Sequence, residues 1–132
     1  PHNRPHRPAA EEPPVNPTAT LTCRHTDGDL AVASVTGELT YETMSVVRAQ
    51  ALDLIQRGHR HLILDLHQIT FCDSSGFSTL VGIWRYAQQA QGTVVLAAVP
   101  DRLSRMLALT GLDELLLAYP TTEEALAAHR SP

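Results

Sequence analysis

Hydrophobic positions change their period several times between residues 20 and 130, and each change marks an element. Thr20 to His25 and Leu30 to Val35 have strand character, and Asp27-Gly28-Asp29 between them supplies the residues of a tight turn, so this stretch predicts a β-hairpin. Gly37-Glu38-Leu39-Thr40 then leads into a helix, because Met44, Val47, Ala51, Leu54 and Ile55 recur at i, i+3, i+7, i+10 and i+11, with Gly58 as the stop. His61 to Leu66 predicts a third strand. After it, Phe77, Leu80, Val81, Trp84 and Ala87 fall at helical spacing up to Gly92. Thr93 to Val99 is apolar at nearly every position, as a central parallel strand buried on both faces would be.

Pro100-Asp101 opens a short helix through Leu103, Met106 and Leu107 that Gly111 can close, and Leu115 to Tyr119 predicts a last strand. Thr121 and Glu124 form a capping-box pattern ahead of Ala125, Leu126 and Ala128. The predicted order is ββαβαβαβα. Strands alternating with helices imply an α/β fold with a mainly parallel sheet and right-handed crossovers, to which the N-terminal β-hairpin adds an antiparallel strand.

Composition changes the picture at one end. Six of the nine prolines lie within residues 1–18, where large apolar residues are almost absent, so this stretch is expected to be a disordered Pro-rich extension and residues 19–130 the folded domain. A chain of 132 residues, 43% hydrophobic and 18% charged, suits one small domain with an aliphatic core. Its formal net charge of −4, with both signs scattered, gives no basic footprint for nucleic acid or an anionic membrane. No apolar run reaches transmembrane length, and the expected location is the cytoplasm. Cys23 and Cys72 are expected to be free thiols, either near each other or as separate small buried residues. The seven histidines lack a metal-ligand spacing: His59 and His61 merely flank Arg60, and neither metal nor cofactor is expected.

The candidate chemistry lies in Phe71-Cys72-Asp73-Ser74-Ser75-Gly76-Phe77. It places Ser74 at the junction of a strand and a helix, where orphan N–H groups and the positive end of the helix dipole favour an anion. A phosphate on this hydroxyl would add about −1.5 to −2 charge to the surface. Asp and Ser are also ordinary N-caps, so capping alone would explain the string. A serine hydrolase would need a Gly-x-Ser-x-Gly elbow and a placed histidine base, and neither is present in the sequence. Gly82 inside the helix costs about 1 kcal/mol relative to alanine, which predicts close packing against a neighbour. Trp84 is expected to be buried and Tyr86 exposed.

The order of elements, together with Val35-Thr36-Gly37-Glu38-Leu39, Leu62-Ile63-Leu64-Asp65-Leu66, Phe71 to Gly76 and Leu109-Thr110-Gly111-Leu112, resembles the anti-sigma factor antagonists of the STAS domain family. The resemblance runs from about residue 20 to the end. It implies a partner-switching cycle: the unphosphorylated protein binds an anti-sigma factor with serine kinase activity, that partner phosphorylates the serine after the aspartate, and a phosphatase restores the binding form. That serine maps to Ser74, with Ser75 as a secondary candidate. Glu38, Thr40, Asp73, Ser74, Ser75, Gly76 and Phe77 are the expected partner-binding positions, although Phe77 also begins an apolar stripe. Thr40 stands where members often carry Asp, and Ser78 where many carry a second glycine. The other reading of a STAS-like fold is a non-switching assembly subunit of a transporter or lipid-trafficking complex.

Overall fold

The computed structural model describes residues 16–131; residues 1–15, which hold most of the expected Pro-rich extension, lie outside the described residues. Strands β1 (Ala19–Asp27) and β2 (Leu30–Leu39) form the expected hairpin, antiparallel from Ala19↔Gly37 to Asp27↔Leu30. Gly28 in the turn has a φ of 61°, a conformation costly to residues that carry a Cβ. The helix α1 (Met44–Gln56), the strand β3 (His61–Asp65), the helix α2 (Ser74–Gln89), the strand β5 (Thr93–Ala97) and the helix α3 (Asp101–Thr110) follow as the periodicity predicts. The chain closes with β6 (Ala118–Tyr119) and α4 (Thr122–Arg130).

Between β3 and α2 lies a strand that the periodicity did not reveal, β4 (Ile69–Cys72), so the order is ββαββαβαβα. It continues the path of β3 along β2: Leu30 to Ser34 pair with His61 to Asp65, and Gly37 to Leu39 pair with Ile69 to Cys72. The break falls at residues 66–68, where the N–H of Leu66 turns to the carbonyl of Ala97 and that of Ile69 to the carbonyl of Leu66. The sheet runs in the order β1-β2-β3-β5-β6, with β4 beside β2, and every pairing other than the hairpin is parallel.

The last strand is shorter than Leu115 to Tyr119. A 3-10 turn at Leu112–Glu114 leads the N–H groups of Leu115 and Leu116 to the carbonyl of Leu112, so neither can donate to the sheet. Only Leu116 of the three leucines is buried, while Leu115 and Leu117 are exposed.

Alternation along the strands divides the core between two faces. Ala31, Ala33, Val35, Leu62, Leu64, Val94 and Leu96 join Val47, Ala51, Leu80, Ile83, Ala87, Leu103 and Leu107 in one cluster, so α1, α2 and α3 cover one face. The opposite face carries Leu30, Val32, Ile63 and Ala97, which pack with Ala125 of α4. The expected cap of α4 is present, with Thr121 Oγ1 accepting from the N–H of Glu124 at 3.1 Å. Cys72 is buried and Cys23, on the edge strand β1 beside an irregularity in register, is exposed; both are free thiols.

Helix α2 corrects two expectations. Of the expected stripe Phe77, Leu80, Val81, Trp84 and Ala87, only Leu80 and Ala87 are buried; Phe77, Val81 and Trp84 are half-buried, and Gly76, Thr79 and Ile83 complete the buried face. Trp84 and Tyr86 are both half-buried, because they lie on opposite flanks of the stripe; the Tyr86 hydroxyl accepts from Gln56 Nε2 on α1 at 3.1 Å.

Candidate functional site

The site is built where β2, β4 and the start of α2 meet. Glu38 and Leu39 pair with Phe71 and Cys72, and the N–H of Asp73 then donates to the carbonyl of Leu39 at 3.1 Å, which brings the α2 N-terminus against the end of β2. Asp73 has extended backbone and caps the helix, its Oδ1 accepting from the N–H of Gly76 at 3.0 Å. The N–H of Phe77 takes the Asp73 carbonyl. Among the described residues, no protein hydrogen bond engages the N–H of Ser74 or Ser75. Ser74 is the first helical residue and is exposed, and Ser75 is half-buried.

Gly76 fixes the seating of the helix. A Cβ there would stand 2.5 Å from the Leu39 carbonyl oxygen, 2.6 Å from Leu39 Cβ and 3.0 Å from Cys72 Sγ. Only glycine lets the helix approach β2 so closely. Burial pushes the thiol of Cys72 up to about 12, with the neighbouring Asp73 acting in the same direction and Arg102 opposing. The dry side of this junction is therefore unreactive.

On its other side α2 borders a groove of about 450 Å3, lined by Tyr41 from the turn before α1, by Met44 and Arg48 of α1, and by Ser74, Ser75, Ser78, Thr79 and Gly82 of α2. Gly82 has nothing within 4 Å of the position its Cβ would occupy, so it is not the tight packing point expected from the sequence but a gap in the groove wall. Tyr41 is 72% exposed although it is aromatic.

The STAS domain model matches residues 21–125, which spans the sheet, the groove and the site. The chain belongs to the STAS domain family. It is 30% identical over 96 residues to the anti-sigma F factor antagonist of Paenibacillus polymyxa, covering 72% of this chain and 82% of that protein. It is 29% identical over 97 residues to the anti-sigma-B factor antagonist of Listeria monocytogenes, covering 73% and 84% respectively. The crystal structure of an anti-sigma factor antagonist from Mycobacterium paratuberculosis matches with a TM-score of 0.75 and 27% identity, over 86% of this chain and 95% of that one.

Within this STAS domain, Asp73, Ser74, Ser75, Gly76 and Phe77 share the helix start, with Phe77 half-buried and packed against the core. Glu38 lies beside them on β2, where its carboxylate accepts from Thr18 N–H at 3.2 Å and Thr70 Oγ1 at 3.4 Å. Thr40 does not line the rim. It is 3% exposed, its hydroxyl accepts from Glu42 N–H, and its N–H donates to Thr43 Oγ1, which in turn donates to the Glu38 carbonyl at 2.6 Å. This hydroxyl pair holds the corner between β2 and α1 and leaves the surface position to Tyr41. Tyr41, Met44, Arg48 and Ser78 also line the groove, and motif reasoning named none of them as a partner-binding position. Met44, which the spacing assigns to the core stripe of α1, is half-buried and lines the groove, and Tyr41 precedes the helix.

A second cavity of about 170 Å3 lies between α4 and the sheet, lined by Leu30, Ile63, Tyr119 and the rings of His61 and His129, whose centroids are 5.4 Å apart. Among the described residues, no group of three His, Cys, Asp or Glu side chains is placed to hold a metal, and no helix is long and apolar enough to cross a membrane.

Proposed function

We propose that this chain is an anti-sigma factor antagonist whose binding is switched at Ser74. The unmodified form docks an anti-sigma factor with serine kinase activity across the α2 N-terminus and the α1–α2 groove, and so releases a sigma factor. The kinase then transfers the γ-phosphoryl group of ATP to Ser74 Oγ: an O–P bond forms, ADP leaves, and a base of the kinase takes the hydroxyl proton. A phosphatase reverses the modification. The chain itself is substrate and ligand, not catalyst.

The observation that carries this reading is the exposure of Ser74 at the first position of α2, on the open side of a helix whose other side is locked to β2. A helix N-terminus tolerates the added charge, so the fold survives phosphorylation and the effect falls on the interface. Burying a dianion at a contact to which the partner brings no cation costs several kcal/mol, and a thousandfold loss of affinity needs only about 4 kcal/mol. The names of the relatives support the same role.

Intact-mass measurement after incubation with candidate anti-sigma factor kinases and ATP tests the reading. One phosphate is expected on the wild type and none on Ser74→Ala. Continued labelling of Ser74→Ala, or no labelling by any such partner, contradicts it.

A further inference from the structure

The groove beside Ser74 contains a cation of the chain's own. Arg48 of α1 and Ser74 of α2 line the same groove from opposite walls. Arg57 and Arg60 hold Asp53 and Asp29 at 3.0 and 3.2 Å, whereas Arg48 is exposed and, among the described residues, has no carboxylate within 4 Å. On the α2 side, Asp73 has already taken the N–H of Gly76, and those of Ser74 and Ser75 remain open.

We propose that Arg48 is the positioning residue for phosphate on Ser74, gripping it from α1 while the free N–H groups at the start of α2 hold it from below. A guanidinium offers a planar fork of donors that matches two phosphate oxygens at once, and a phosphoserine offers three acceptor oxygens. Phosphorylation then ties α1 to α2 across the groove. A partner loses the open groove and the free arginine together, in addition to meeting a new negative charge. The inference rests on the reading of Ser74 given above and deepens it, because it makes the switch an occupation of the groove rather than repulsion alone. Asp73 is the neighbouring like charge that the grip must outweigh, and Arg102 is a second cation, whose charge reaches Cys72.

The test installs phosphoserine at position 74 genetically, with no kinase involved, and follows its second ionisation by phosphorus-31 NMR. A neighbouring guanidinium favours the dianion, so the wild-type value is expected below the ordinary value of about 6. Arg48→Gln should raise it by roughly 0.2 to 0.7, the equivalent of one partly exposed ion pair. Arg48→Lys should restore part of the difference, and Arg102→Gln should change it less than Arg48→Gln. An unchanged titration in Arg48→Gln, or a larger change in Arg102→Gln, overturns the proposal. Failure of every kinase to label Ser74 would instead strike the proposed function and leave this titration standing.

Discussion

The two long sides of α2 make the most informative contrast in the molecule. On one, Gly76, Leu80, Ile83 and Ala87 are buried, and the helix backbone stands against Leu39 so closely that a single methyl group would collide with the strand. On the other, Ser74, Ser78 and Gly82 border open space, and the wall opposite is an arginine and an exposed tyrosine. Two glycines fewer than two turns apart thus have opposite reasons to be there: Gly76 removes a side chain to let backbones touch, and Gly82 removes one where nothing touches. The packed side fixes where Ser74 stands, and the open side leaves it available. The proposed phosphate on Ser74 would enter the groove and not the core, so the packed side would keep its geometry.

Substitution at the two glycines separates the sides most strongly. Gly76→Ala should destabilise the domain by about 1–3 kcal/mol, since the strand or helix must shift to admit the methyl group; a urea midpoint equal to wild type would show that the junction is not tight. Asp73→Ala should cost about 1 kcal/mol through loss of the cap while Asp73→Asn stays close to wild type, again by urea unfolding. Gly82→Ala should do the opposite of Gly76→Ala and stabilise by up to about 1 kcal/mol, because it restores helix propensity in free space; loss of stability there would erase the contrast. The smallest effect at neutral pH belongs to Cys72. Its thiol stays protonated in the folded state up to about 12, whereas the unfolded chain ionises near the ordinary value of 9. Above pH 9 the unfolded state therefore binds fewer protons, and stability falls as pH rises. A thiol reagent should label Cys23 at once and Cys72 only on unfolding; equal rates would contradict a dry junction.

Much of this was legible in the residues. The hairpin, the helices α1, α2 and α3 and the central strand follow from periodicity and turn chemistry, because each element carries its own apolar face over enough residues to show it. Strand β4 escaped because Ile69–Cys72 is four residues long and completes a ladder begun by β3, so its existence depends on β2 lying alongside. Leu115 to Leu117 read as strand from composition, but the preceding turn claims two of their N–H groups. At the site, Asp73 and Ser74 were marked by local cap chemistry, which a sequence displays directly. Thr40 was misplaced because β2 ends at Leu39 and the chain then turns its next hydroxyl inward. Arg48 was missed because the flank of α1 that faces α2 is decided by tertiary packing, and Tyr41 because it stands in the turn before that helix.

The decisive measurement is titration calorimetry of the cognate anti-sigma factor with unmodified chain and with chain carrying phosphoserine at position 74. The account predicts a loss of affinity of about a thousandfold on phosphorylation, about 4 kcal/mol, with the fold unchanged by circular dichroism. Equal affinity of the two forms would contradict it.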